Sequence, residues 1–120
     1  MSQPWWHIQF HRTDNGKCPY LEDFFLSLSG EDQKRIREKL AIVEQHGPQY
    51  DEFTDQLNAD IWELRFHIRH GIVRLFYFYQ PNHTIIITHA VCKKYWKTKR
   101  ADIQLAMQYM SEHVLRGKQP

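Results

Sequence analysis

The chain has 120 residues, 42% of them hydrophobic and 14% aromatic, which is enough apolar material for one packed core and too much for a disordered chain. Sixteen Lys and Arg residues against fourteen acidic residues give a net charge of +2. No apolar run is long enough to span a bilayer, and Met1–Trp6 lacks the basic start and apolar stretch of a signal peptide. We therefore expect one cytoplasmic domain over residues 1–120, without a membrane partner.

The first half of the chain predicts one strand and two helices. Residues 5–11 alternate, with Trp6, Ile8 and Phe10 on one side, as in a half-buried strand. A helix is expected from Pro19, because apolar side chains then recur at helical spacing: Leu21, Phe24, Phe25 and Leu28. A second helix is expected between a Ser29 cap and the Gly47-Pro48 stop signal, with Ile36, Leu40 and Val43 buried.

The second half predicts a loop, three strands and a last helix. Residues 49–59 are polar and indicate a loop, and three strand-like runs follow: Ile61–Phe66, Ile72–Tyr79 and Thr84–Ala90. Their short links favour antiparallel neighbours, and the run Ile85-Ile86-Ile87 indicates a central strand. A helix is expected over 100–115, with these buried residues: Ile103, Ala106, Met107, Met110 and Val114. The fold class is α+β, an antiparallel sheet in the order β-α-α-β-β-β-α with the helices packed on one face.

Positive charge is concentrated in the second half. Up to Glu63 there are six Lys and Arg residues against twelve acids, a net −6, and the remainder carries a net +8. The densest cluster combines cations that neutralise phosphates with rings that stack on unpaired bases. It consists of Lys93, Lys94, Tyr95, Trp96, Lys97, Lys99 and Arg100. The alternative is that these residues are an exposed segment before the last helix, with no binding role. Cations at a helix N-terminus oppose the helix dipole and so reduce the stability of the helix, which favours a functional role for the cluster.

Two arginines and one histidine lie in otherwise apolar strands. Arg65 and Arg74 are each either members of an anion site or partners in a salt bridge, for which Glu63 is an obvious candidate. His89, which ends the third run, is either a general acid or base or a satisfied sheet residue.

Other chemistries lack their motifs. Cys18 and Cys92 form neither a disulfide framework nor a CxxC pair, and His7 and His11 have HxxxH spacing only in a strand-like stretch, so we expect no metal and no cofactor. There is no P-loop, GxGxxG, GxSxG or HExxH. No carboxylate pair is expected near the basic cluster. If the protein cleaves RNA, the metal-free route is attack by the substrate's own 2′-hydroxyl on the adjacent phosphate.

The order of several short motifs resembles the phage-derived HigB-like branch of the RelE/ParE toxin superfamily. The match runs from about Ile61 to Tyr109. The motifs are Trp62-Glu63-Leu64-Arg65, Gly71 to Tyr77, Thr88 to Lys94, Lys97-Thr98, Asp102-Ile103 and Ala106. The chain departs from the pattern at Tyr95-Trp96, where smaller polar residues are usual, and at Lys99, where proline is common.

The resemblance implies a microbial-RNase-like fold and a type II toxin that cuts mRNA in the ribosomal A site. It implies a cognate antitoxin, often a helix-turn-helix protein, with operator DNA bound only through the toxin–antitoxin complex. Carried over by position, the cationic site is Arg65, Arg74, Lys93, Lys94 and Lys97, with His89 beside it. Arg65 and Arg74 are expected to hold the scissile phosphate, and Lys94 or Lys97 to stabilise charge or move a proton.

Two other functions remain open at this point. A DNA-gyrase inhibitor, as in the ParE branch, needs no RNase site, and the strong cationic cluster disfavours it. A catalytically inactive module that binds only antitoxin and operator is compatible with the same fold, because function belongs to the site and not to the fold.

Overall fold

A computed structural model describes residues 5–50, 54–69, 71–93 and 98–118. Five strands form one sheet in the order β1-β5-β4-β3-β2. The strands are β1 (His7–Phe10), β2 (Thr54–Gln56), β3 (Trp62–Ile68), β4 (Gly71–Gln80) and β5 (Thr84–Lys93). The helices are α1 (Pro19–Glu22), α2 (Gly30–His46) and α3 (Arg100–Gly117). The predicted α+β class is confirmed.

The sheet is mixed and not antiparallel throughout. Strands β3, β4 and β5 are antiparallel neighbours as predicted, whereas β1 pairs with β5 in parallel. Strand β5 lies between β1 and β4 and is buried from Thr84 to Ala90, which confirms the expected central strand. The predicted loop contains β2, whose three polar residues show no hydrophobic alternation and form a strand by pairing with β3.

Helix α2 agrees with its sequence signals, and α1 is shorter than predicted. The Ser29 hydroxyl accepts a hydrogen bond from the Asp32 amide at 3.2 Å, and Gly47 ends α2 at φ 87°. Helix α1 stops at Glu22, because Phe24 adopts φ −134° and ψ −69°, and a 3₁₀ turn follows at Phe25–Ser27. This break lets the Phe24 ring enter the core.

The helices cover both faces of the sheet, so the prediction that they pack on one face is wrong. Helices α1 and α2 pack on the face that carries Leu64, Leu75 and Ile87. Helix α3 packs on the opposite face, with Ala106 against a cluster that includes Phe76 and Ile86. The reason is that β4 and β5 are apolar on both sides, and each side must be covered.

Helix α3 is only partly buried. Ala106 is its one buried residue in the described ranges, Met107 and Met110 pack partly, and Val114, which was expected in the core, is 37% exposed. Within the described ranges, no helix combines the length and the apolar character needed to cross a membrane.

Candidate functional site

A β-bulge in β5 determines which side chains reach the face covered by α3. The pairing with β4 changes from Phe76 opposite His89 to Tyr77 opposite Ile87, which leaves Thr88 as an extra residue. The Thr88 hydroxyl donates to the Phe76 carbonyl at 3.2 Å. Beyond the bulge the alternation is inverted, and the side chains on the α3 face are His89, Val91 and Lys93.

Rows of cross-strand neighbours bring the predicted charged residues together on this face. From β3 to β5 the rows are Glu63–Phe76–His89, Arg65–Arg74–Val91 and His67–Ile72–Lys93. Arg65 and Arg74 are therefore directly opposite each other. Since like charges at this spacing repel, each arginine needs an anion of its own.

The anion of Arg74 is Glu63. Its Nη1 lies 2.6 Å from Glu63 Oε1, and each side chain is 1% exposed. The Thr98 hydroxyl joins the pair: it accepts from Arg74 Nη1 at 3.0 Å and donates to the Glu63 carboxylate, with 2.8 Å to each oxygen. The salt bridge that the sequence left open is confirmed for Arg74. Its guanidinium ties the segment before α3 to the sheet and is closed to solvent in this state.

The anion of Arg65 is Asp55, from the edge strand β2. Nη2 of Arg65 lies 2.5 Å from Asp55 Oδ2, and the two side chains are 29% and 49% exposed. The Nε atom of Arg65 is buried and has no hydrogen-bond partner among the described residues. Arg65 thus reaches solvent and has donor capacity that its ion pair does not use.

Asp102, in the first turn of α3, faces two residues of β5. Its Oδ2 accepts from Lys93 Nζ at 3.1 Å, and its Oδ1 lies 3.9 Å from Nε2 of His89, beyond hydrogen-bond distance. On the other side of the ring, His89 Nδ1 is 3.2 Å from the Thr88 hydroxyl. The imidazole also stacks on Phe76, with 4.7 Å between ring centroids. These four contacts together fix the position of the ring and the lysine.

Burial determines the charge of His89. Desolvation lowers the pKa of His89 to about 4, and the nearby Asp102 carboxylate opposes this shift without cancelling it. The imidazole is consequently neutral at pH 7 and has the protonation state of a base. The imidazole is 5% exposed, and the Asp102 carboxylate beside it is paired with Lys93.

The sequence predicts no carboxylate pair near the basic cluster, and the carboxylates that the structure places on this face are single groups, each against its own cation. Strand pairing and α3 bring three of them to the cations: Asp55, Glu63 and Asp102. Each is engaged with a cation from a neighbouring strand or helix. Within the ranges that the structure describes, no group of three His, Cys, Asp or Glu residues is arranged to hold a metal ion.

The comparison with protein families agrees with the resemblance seen in the sequence. The family model described as "Phage derived protein Gp49-like" matches residues 23–111. The chain belongs to this Gp49-like family. It is a family of RelE-like toxins, so the predicted superfamily is confirmed. A free-state structure of a mutant of the E. coli toxin RelE is similar at 14% identity, covers 96% of this chain and 98% of that chain, and has a TM-score of 0.49. No similar sequence is found among curated proteins.

The remaining predicted residues of this Gp49-like chain are at the start of α3 or outside the described ranges. Lys99 is the N-cap of α3 and Arg100 its first residue, and both are exposed. Four predicted site residues lie outside the described residues: Lys94, Tyr95, Trp96 and Lys97.

Sequence reasoning gave no role to three residues that shape the face. Thr98 and Asp102 are part of the motifs that carry the family resemblance, and this was a usable signal. Asp55 had no such signal, because it lies in a polar stretch that predicts a loop, and only the pairing of β2 with β3 brings it to Arg65.

Proposed function

We propose that this protein is the toxin of a type II toxin–antitoxin system, a cytoplasmic, ribosome-dependent endoribonuclease that cuts mRNA. Membership of a RelE-like toxin family supports this proposal. The structural observation that carries it is that Arg65 and Lys93, both partly exposed, lie on one face of the sheet, where β5 leads into the basic segment, residues 93–100. A surface of this kind suits a phosphate backbone.

The proposed chemistry is attack by the ribose 2′-hydroxyl on the adjacent phosphate. It needs a proton acceptor, cations for the charge that develops on phosphorus, and a proton donor for the 5′-oxygen. We assign Arg65 and Lys93 to phosphate contact, since their side chains are 29% and 27% exposed. Neutral His89 is the candidate proton acceptor, reached when Lys93 exchanges Asp102 for phosphate.

The basic segment completes the proposed site. By family position, Lys94 and Lys97 stabilise charge or move the proton. Tyr95 and Trp96 offer rings for unpaired bases, and Lys99 and Arg100 attract the backbone of the RNA. The resemblance seen in the sequence predicts that Arg74 holds the phosphate beside Arg65, but we propose a supporting role for it. Its buried ion pair with Glu63 fixes the position of Thr98 and therefore of the N-terminus of α3.

The proposed partners are a cognate antitoxin, expected to be a helix-turn-helix protein, and the ribosomal A site with its mRNA. Operator DNA is bound only through the antitoxin complex. The proposed site contributes mainly cations, so much of the rate acceleration must come from correct positioning of the mRNA. The ribosome supplies that positioning, which is why the protein is proposed to act there.

Primer extension on cellular mRNA, after brief induction without the antitoxin, tests the proposal. The expected result is cleavage inside translated frames that is lost in an Arg65→Ala/Lys93→Ala variant. Growth arrest with intact mRNA would instead indicate gyrase inhibition. Normal growth with intact mRNA would indicate a binding module without catalytic activity.

A further inference from the structure

The Asp55–Arg65 pair differs from the other two ion pairs of this face in its exposure. Asp55 is 49% exposed, and its one ion pair among the described residues is the contact with Arg65 Nη2. Glu63, by contrast, is 1% exposed and accepts from both Arg74 and Thr98. Displacing Asp55 leaves a solvated carboxylate, whereas displacing Glu63 leaves a charge buried without its counterion.

The Arg65 guanidinium has unused donor capacity. An arginine presents two adjacent N–H groups that fit two oxygens of a phosphate or carboxylate at once. Here the contact to Asp55 is made through Nη2, while Nε is buried and without a hydrogen-bond partner in the described part of the chain. A phosphodiester with two free oxygens matches this donor set better than the contact that is present.

We propose that Asp55 occupies, in the free protein, the position on Arg65 that an RNA phosphate takes in the complex. RNA binding at this point is then an exchange of anions: the phosphate enters, Asp55 swings into solvent, and Arg65 keeps a counterion throughout. Asp55 thereby weakens the hold on any anion that does not fit the whole site. The inference rests on the proposed function for the identity of the anion as RNA.

Neutralising Asp55 tests this exchange, and the chain offers a matched control. Asp55→Asn removes the competing charge and leaves Arg65 in place. Asp60→Asn makes the same change in net charge at an exposed aspartate just before β3, which forms no ion pair within the described ranges. A second variant, Asp55→Thr, keeps strand preference at the β2 edge if Asn disturbs it.

The measurement is the Kd for a short single-stranded RNA whose 2′-hydroxyls are all methylated, so that binding is recorded without cleavage. We expect Asp55→Asn and Asp55→Thr to bind this RNA about three- to tenfold more tightly than Asp60→Asn, the range expected when an exposed ion pair no longer competes and a nearby negative charge is removed. In an Arg65→Ala background, Asp55→Asn is expected to change Kd no more than Asp60→Asn does.

Equal affinity of the Asp55 and Asp60 variants would overturn the exchange, as would a gain that persists without Arg65. Failure of the wild type to cut mRNA is a separate result. If it occurs together with the Arg65-dependent gain in RNA affinity, the endonuclease is lost as the function and the anion exchange stands.

Discussion

Arg74 and Glu63 form an ion pair inside the protein, with 2.6 Å between Nη1 and Oε1 and 1% of each side chain exposed. The pair joins β3 to β4 and, through the Thr98 hydroxyl, joins both strands to the segment that leads into α3. An arginine enclosed in this way contributes mainly to the stability and shape of the site. Loss of activity on its substitution can therefore result from loss of folding rather than from loss of a contact with RNA.

We expect Arg74→Ala to lower the free energy of unfolding by about 3–5 kcal/mol, because it leaves the Glu63 carboxylate buried without a counterion. Urea unfolding followed by far-UV circular dichroism measures this. The double variant Arg74→Met/Glu63→Leu removes both charges and is expected to recover most of the loss. A single variant within about 1 kcal/mol of the wild type would show that the pair is not a structural element. Loss of toxicity in Arg74→Ala alone therefore does not identify a phosphate ligand.

Thr98→Val should cost more stability than Thr98→Ser. The valine keeps the size of the side chain and loses the hydroxyl that bridges Arg74 and Glu63, and a hydrogen bond to a charged group contributes about 1.5–3 kcal/mol. Serine retains the bridge. Thermal melting of the two variants and the wild type gives the comparison, and indistinguishable melting temperatures for Val and Ser would argue against the bridge.

Arg65→Ala is expected to reduce mRNA cleavage by about 10²-fold, as removal of one charge-stabilising group does in other enzymes. Its effect on stability should stay below about 1 kcal/mol, because the Asp55–Arg65 pair is partly exposed. Cleavage by primer extension and unfolding by urea are measured on the same preparation. Arg12→Ala is a suitable control, since Arg12 is exposed and contacts the Gly16 carbonyl, away from this face. Wild-type cleavage by Arg65→Ala would remove Arg65 from the proposed site.

Acid should destabilise the fold through His89. The pKa of this histidine falls from 6.5 in the unfolded chain to about 4 in the folded one, so between these values the unfolded state binds more protons. The contribution of neutral His89 to the free energy of unfolding is fully present above pH 6.5. It declines as the pH falls to about 4, by about 3 kcal/mol for a shift of this size. Burial also lowers the pKa of His11, with Glu112 opposing, and adds a loss of the same sign.

The measurement is urea unfolding between pH 7.5 and pH 4 for the wild type and His89→Gln. Glutamine does not titrate, so the variant should lose less stability across the interval than the wild type does. Parallel curves for the two proteins would show that His89 is not the source of the pH dependence.

Much of the fold was predictable because its signals are local. The cap at Ser29, the stop at Gly47 and the apolar runs of β3, β4 and β5 each depend on residues close in sequence. The parallel pairing of β1 and the placement of α3 on the second face depend on contacts between distant segments. No local pattern reports those contacts.

The candidate site was predictable in its cations and in one of its three anions, Glu63, which the sequence already offered as a salt-bridge partner. Arg65, Arg74 and Lys93 stood out as charges in or beside apolar strands. The anions of Arg65 and Lys93 are Asp55 and Asp102, which lie in polar stretches of the sequence. Nothing in such a stretch shows which cation an acidic residue contacts, because that depends on the strand pairing and on the docking of α3. For this reason the sequence indicated an open cationic surface, while the structure has a face on which each of these cations is already matched.

The extra residue at Thr88 has a consequence for comparing members of this family. Side chains along a strand alternate with period two, so one inserted residue reverses the parity of all that follow it. If Thr88 were instead paired as an ordinary strand residue, His89 and Lys93 would point toward α2, and Ala90 and Cys92 would take their places under α3. A relative that lacks the extra residue therefore builds the same face with a regular strand, and its histidine and lysine align with His89 and Lys93 only when the gap is placed at Thr88.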